Sequence, residues 1–294
     1  MKLGMSFTQL EMDWPSVDTV RIWDIGVDWA RVNTAPGVYD WSKLDAVVAK
    51  AQATGAGRIV YVHHGVPGWL AKKNPNEHTA PWMPPGSNSV PKDLAKWDAW
   101  VRAVVKRYKG RIHIHEIGNE PQLPDFMYPW NQSNRATLAQ MTKRAYKIIK
   151  EVDPKAKVWS ASVLPRKSSG GMKKGGLFLD ELKKVGWPVD AVACHIYPTV
   201  GENWPEWKAY YDEVVKAAKQ RGCTKPVVVT ETLFDLLGPE MSDSKGQNLV
   251  KKVATKHKGS VVIWYAFNRP DLGGMGGHIR PGTLTWAEMQ ARRA

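Results

Sequence analysis

Pro226-Val227-Val228-Val229-Thr230-Glu231-Thr232-Leu233 opens on three consecutive β-branched apolar residues and then reaches a carboxylate. A strand with one wet face alternates apolar and polar residues. This run does not, so both of its faces are buried. Val261-Val262-Ile263, further along, has the same character. Strands covered on both faces belong to parallel sheets, and their crossovers are helices. Similar short apolar runs recur towards the N-terminus, so the candidate strands are residues 3–7, 19–24, 58–64, 112–120, 157–163, 191–197, 226–233 and 260–267.

Helical patterns lie between them, at residues 42–54, 93–108, 134–152, 176–185, 204–220 and 243–257, with a last one at about 286–293. Ser42, three residues before Asp45, has the spacing of a capping box. Gly55, Gly110, Gly186 and Gly222 stand where helices stop, and Asp153-Pro154 ends the fourth. The stretch between the first two strands is short, so the first helix is weak. Strand and helix alternating in this way predict an α/β chain folded as a (β/α)8 TIM barrel, a single domain over residues 1–294. An open doubly wound sheet would carry a glycine-rich turn after its first strand, and Ser6-Phe7-Thr8-Gln9 has none. No fixed sequence period and no linker marks a second domain.

Composition removes several classes. With 43% hydrophobic and 24% charged residues the chain is globular rather than disordered. No apolar run reaches the ~18 residues of a membrane helix. The start, Met1-Lys2-Leu3-Gly4-Met5-Ser6-Phe7-Thr8, lacks a signal-peptide core. The expectation is a soluble protein without a membrane partner: cytoplasmic, phage- or virion-associated, or a mature form that has lost its signal. Cys194 and Cys223 are too few for a disulfide scaffold and fall near opposite ends of adjacent strands. The 15 tryptophans can stack on sugar rings or fill a core, and their number does not choose.

In a barrel of this kind chemistry sits at the C-terminal ends of the strands. The fourth candidate strand ends His115-Glu116-Ile117-Gly118-Asn119-Glu120-Pro121 and the seventh ends Val229-Thr230-Glu231. Strand alternation gives Glu116, Gly118 and Glu120 one face, and Val227, Val229 and Glu231 one face. Two carboxylates across a barrel mouth are what glycosidic cleavage requires: one protonated, to donate to the leaving oxygen, and one ionised, to attack the anomeric carbon or activate water. Glu116 lies deeper and reads as structural.

These residues resemble clan A glycoside hydrolases, the retaining (β/α)8 enzymes. Gly118-Asn119-Glu120-Pro121 is similar to the clan's Asn-Glu-Pro motif, which implies Glu120 as acid/base, and Val229-Thr230-Glu231 is similar to its nucleophile segment. Ala193-Cys194-His195-Ile196-Tyr197-Pro198 resembles the His-x-Tyr stretch of strand six, and Val20-Arg21-Ile22-Trp23 the strand-two segment whose arginine contacts the nucleophile. Gly37-Val38-Tyr39-Asp40-Trp41 and Leu44-Asp45 resemble the approach to the second helix. Within the clan the nearest flavour is family 39, the β-xylosidase and iduronidase-like group. The resemblance implies a retaining O-glycoside hydrolase of poly- or oligosaccharides working by double displacement. Asn119 would donate to a sugar hydroxyl. Tyr197 and His195 would orient Glu231, and Arg21 would keep it ionised, although an internal pair of Arg21 with Glu116 fits equally. Retention asks for carboxyl groups ~5–5.5 Å apart, inversion for roughly 6.5–9.5 Å.

Trp264, after Val261–Ile263, is the candidate platform under the sugar. His64, at the end of strand three, is a candidate substrate contact, with His63 structural. Trp69, Trp82, Trp130 and Trp204 lie in loops on the active face, where anchoring a loop and binding sugar both fit. No metal-ligand spacing appears, so neither a catalytic metal nor a cofactor is expected. Residues 141–184 carry 12 Lys/Arg against 4 Asp/Glu, within a total charge of +14. The segment 165–174, rich in Ser and Gly, reads as a mobile basic loop beside the cleft. Its charge fits an anionic or cell-wall polymer, or simply a solvated surface. No nucleic-acid module is present, so nucleic acid is not an expected partner, and the chain is expected to act as a monomer. A non-catalytic carbohydrate-binding barrel and a phage-type lysin of cell-wall glycan are the competing readings.

Overall fold

The computed structural model describes residues 2–73, 77, 80–198, 204–234, 241–256, 261–269, 271 and 276–292. Eight parallel strands run through it: β1 Lys2–Ser6, β2 Thr19–Ile22, β3 Arg58–Val62, β4 Ile114–Ile117, β5 Lys157–Ser160, β6 Val192–Ile196, β7 Val227–Thr232 and β8 Val261–Trp264. They are ordered β5-β4-β3-β2-β1-β8-β7-β6, so every neighbour is a sequence neighbour except where β1 meets β8. Parallel bridges Trp159↔Ala191 and Val163↔Cys194 join β5 to β6 and close the ring. The chain is therefore a single-domain (β/α)8 barrel. The sequence places the start of strand eight at residue 260 and the end of the last helix at 293; both ends lie outside the described residues.

The strands sort two cores by parity. Val60, Ile114, Trp159, Ala191, Ala193, Val228, Val261 and Ile263 fill the barrel interior. Their alternate neighbours, among them Val20, Ile59, Cys194, Val227 and Val262, pack outward against the helices. Continuous apolar runs such as 227–229 and 261–263 are what a strand buried on both sides needs.

The helices are α1 Trp29–Val32, α2 Ser42–Ala53, α3 Leu94–Arg107, α4 Gln132–Val152, α5 Gly171–Lys184, α6 Trp204–Gln220, α7 Asp243–Lys256 and α8 Leu284–Ala291. No helix forms between β1 and β2; there Trp14 stacks on Phe7 at 4.4 Å. The Ser42–Asp45 capping box does not form either. Trp41 takes the N-cap position without a side-chain bond, Asp40 just before it accepts from the Ser42 N–H (3.0 Å), and Asp45 turns aside to Arg107 and Tyr108. Asp93 and Asn131 cap α3 and α4 by accepting from Ala95 and Asn134 backbone N–H groups. α5 begins five residues before its expected start, after a 3-10 turn at Lys167–Ser169, so the basic segment is wound into helix rather than left as a mobile loop.

Most of the tryptophan is structural. Trp29 and Trp41 both stack on Trp100, at 5.9 and 5.8 Å, in the layer between barrel and helices. No helix among the described residues is long and apolar enough to cross a membrane.

Candidate active site

Two irregularities at strand tips build the site. The first follows β4. Gly118 takes φ +100°, where a Cβ would meet Ala161 Cβ at 3.1 Å, so the close approach of β4 to β5 needs glycine there. Two residues on, Glu120 sits at φ +37°. A non-glycine residue pays about 1–2 kcal/mol for the left-handed region and persists there only when its surroundings hold it. Here the Glu120 N–H donates to Ser162 Oγ (3.1 Å) and its carbonyl accepts from Leu123 N–H (2.9 Å).

The second irregularity is in β7. Val229 pairs with Cys194 and Glu231 with His195, so Thr230 is an extra residue bulged out of the ladder. The register against β8 shifts at the same point. Simple alternation puts Glu231 on the face of Val227 and Val229, but those two face the helices. The bulge corrects this. Thr230 points inward and donates to Glu116 Oε1 at 3.0 Å, and Glu231 is re-aimed into the barrel mouth as well.

Glu120 and Glu231 converge on one imidazole. His195 Nδ1 lies 2.7 Å from Glu120 Oε1 and 3.3 Å from Glu231 Oε2. The three ligating atoms all fall within 4.8 Å of one another. One oxygen of each carboxyl group therefore lies within 4.8 Å of the other, which fits a retaining pair and leaves less room than the roughly 6.5–9.5 Å of an inverting one. Tyr197 donates its hydroxyl to Glu231 Oε2 at 2.6 Å. Beneath them Arg21, fully buried, donates to Glu231 Oε1 (2.5 Å), Glu116 Oε2 (2.8 Å) and Asn119 Oδ1 (2.9 Å). Arg21 therefore contacts both of the carboxylates that the sequence offers it. With Asn119 Oδ1 committed to Arg21, its amide N–H groups are left for the cleft that Asn119 lines.

The electrostatics separate the two carboxyl groups. Burial pushes Glu120 up to about 7, with Arg21 only partly opposing it. Burial also raises Glu231, as does the neighbouring Glu120 charge, and the Arg21 guanidinium and the Tyr197 hydroxyl offset the rise only in part. Glu231 thus has a cation and a hydroxyl donor in direct contact, while Glu120 has neither. Burial lowers His195 to about 4, so the shared imidazole is neutral at ordinary pH. Arg21 stays protonated: burial works against its charge, but Glu116 and Glu231 raise its pKa. The Glu120, His195 and Glu231 spacing would also suit a cation, yet the guanidinium against Glu231 disfavours a second positive charge there.

A cleft of about 420 Å³ opens above this network, with Trp23, Asp24, Trp82, Phe126, Tyr197 and Tyr265 in its walls beside Asn119, Glu120 and Glu231. Three expected substrate contacts are not in it. Trp264 is wholly buried on the helix side of β8, because Val261 and Ile263 take the interior positions and parity gives the next inward place to Tyr265. Tyr265, whose hydroxyl donates to Asp24 Oδ2 at 2.9 Å, is the aromatic that β8 delivers to the cleft. His64 stands behind the wall, edge-on to Trp23 at 4.8 Å, and lines only smaller neighbouring pockets. Trp69 spends its indole N–H on the Asn33 carbonyl at 3.2 Å and anchors its loop. Trp82 is half exposed at the cleft edge. Sequence reasoning missed Trp23, Phe126 and Tyr265. Counting inward parity from Arg21 and from Ile263 would have found the first and the last.

Comparisons with known proteins point to the same barrel fold. The model of the cellulase family (glycosyl hydrolase family 5) matches residues 18–164. A β-xylosidase of Geobacillus stearothermophilus is 29% identical over 137 residues, 44% of this chain and 26% of that protein. Among solved structures, a glucosidase from Croceicoccus marinus superposes with a TM-score of 0.66 at 16% identity, covering 90% of this chain and 59% of the glucosidase. A family 10 (GH10) protein from Paenibacillus barcinonensis gives 0.63 at 16% identity, covering 99% and 94%. Xylanase 10B from Thermotoga petrophila, solved with xylobiose, gives 0.61 at 14%, covering 99% and 93%. At such identities the structural likeness shows the barrel fold. The chain spans about a quarter of the β-xylosidase and under two thirds of the glucosidase.

Proposed function

The chain belongs to the cellulase family, glycosyl hydrolase family 5, within clan A, and on that premise we propose that it hydrolyses β-linked oligo- or polysaccharides with retention of configuration. The observation that carries the reading is the convergence of Glu120 and Glu231 on His195 Nδ1, oxygens within 4.8 Å, one carboxyl raised to about 7 and the other held by Arg21 and Tyr197. Glu120, protonated, gives its proton to the leaving oxygen as Glu231 attacks the anomeric carbon and the glycosidic bond breaks. Glu120, now ionised, takes a proton from water, which attacks the same carbon and releases Glu231. His195 sits between the two as a neutral positioning group. Asn119 addresses a sugar hydroxyl beside the breaking bond, and Tyr265 and Trp23 face the ring. All these groups come from one barrel, so the site is complete within a single copy of the chain, in keeping with a monomer.

Xylan-like chains are the first substrates to try, given the likeness to a β-xylosidase and to xylanases. The finer placement beside family 39 is supported only by the β-xylosidase likeness, since the family model that matches is that of family 5. The test is Glu231→Ala on an aryl β-glycoside, with and without azide. Turnover falls by several orders of magnitude, and azide restores part of it with formation of a glycosyl azide of inverted configuration. Full turnover without azide would refute the assignment. Binding of glycans by the unaltered chain with no cleavage of any would replace it with the carbohydrate-binding barrel.

A further inference from the structure

Arg166 lines the same cleft, and its Nε is buried without a hydrogen-bond partner. Arg31, Arg144 and Arg221 are committed to Asp28, Asp98 and Asp180, whereas Arg58 Nη2 and Arg135 Nε, like Arg166 Nε, are buried without a partner but do not line this cleft. A buried donor left unmade is costly, and a guanidinium fork is shaped for two oxygens of a planar or tetrahedral anion.

The segment that carries Arg166 is framed rather than loose. Gln122 clamps Leu164 from both sides, accepting from its N–H (2.6 Å) and donating to its carbonyl (3.0 Å). The Arg166 carbonyl accepts from Ser169 and Gly171 N–H groups, both at 3.0 Å. Ser162, four residues before, holds the Glu120 backbone. Arg166 therefore stands on the acid's side of the cleft, where the leaving group sits. Across the ring, β1 is opposite β5, and the wall between β8 and β2 carries Tyr265 and the Asp24 carboxylate. An anion is repelled from that wall and drawn to this one, with Lys167 exposed beside it to add to the field.

Resting on the glycosidase reading above, we propose that Arg166 binds a carboxylate or sulfate on the sugar at the leaving-group side of the cleaved bond, so that the preferred substrate is an anionic glycan. The test offers the Glu231→Gln chain a β-linked oligosaccharide bearing one glucuronic acid, as free acid and as methyl ester, with the neutral parent and a sulfated analogue alongside. The anionic form binds about tenfold more tightly than ester or parent, and the preference shrinks as salt rises. Arg166→Gln abolishes the difference, and Arg166→Lys restores part of it, because an ammonium lacks the fork. Free acid bound better than sulfate assigns a uronate, and the reverse a sulfated sugar. Equal binding of charged and neutral forms, no binding of any, or a preference that survives Arg166→Gln overturns the proposal. Its failure leaves Glu231-dependent cleavage of neutral β-glycosides by the wild-type chain untouched, whereas failure of the glycosidase reading removes that cleavage.

Discussion

Tyr197→Phe isolates the device that keeps the two carboxyl groups apart. The substitution removes one hydroxyl and keeps the ring, so it deletes the 2.6 Å bond to Glu231 Oε2 with little change of packing. A hydrogen bond to a charged acceptor is worth about 1.5–3 kcal/mol. At 1.36 kcal/mol per pKa unit, that corresponds to a rise of about one to two units in Glu231. The sign follows from the donor, which favours the ionised carboxylate, so its loss raises the pKa. Glu231 acts ionised, and activity is lost as pH falls through its pKa. Glu120 acts protonated, and activity is lost as pH rises through about 7. The profile of kcat/KM on an unactivated oligosaccharide is then a bell whose acid limb moves up by about one to two units while the basic limb near 7 stays in place. The bell narrows and its maximum drops. Because both carboxyl groups meet at His195 Nδ1, each limb is a property of the pair. An acid limb that stays put, or moves down, would refute the assignment of Tyr197 as the donor that tunes the nucleophile.

Further outcomes follow from the same geometry. Thr230→Ala removes the bond from the bulge residue to Glu116 and leaves a fully buried carboxylate short of a donor, so chemical denaturation should show a loss of about 1–3 kcal/mol, with Thr230→Ser recovering most of it. Unchanged stability in Thr230→Ala would mean the bulge is held by something else. Trp264→Phe lowers the melting temperature and leaves KM alone, whereas Tyr265→Ala raises KM several-fold. The opposite pattern would restore Trp264 to the cleft.

The eight strands and the stops of the helices were legible because their causes are local. A β-branched run such as 227–229 is buried on both faces, and a glycine or Asp-Pro that follows the last apolar turn ends the helix there, although Gly175, Gly176 and Gly246 stand inside helices. Helix starts read less well: at α2 the Ser42 side chain donates to Asp40 instead of capping the helix, and only the fold decides which partner it takes. The carboxyl pair was legible as residue types at strand tips, because glycosidic cleavage demands two of them there.

From the residues alone came the barrel and the two glutamates at its strand tips; the arginine below them came from the family resemblance. The direction of each side chain came only with the folded ring. Whether Glu231 points inward depends on one extra residue in β7 measured against its neighbours, and which aromatic reaches the cleft depends on which residues of β8 fill the interior. Alternation is a rule about one strand, whereas register is a relation between strands, and no single stretch of sequence contains it.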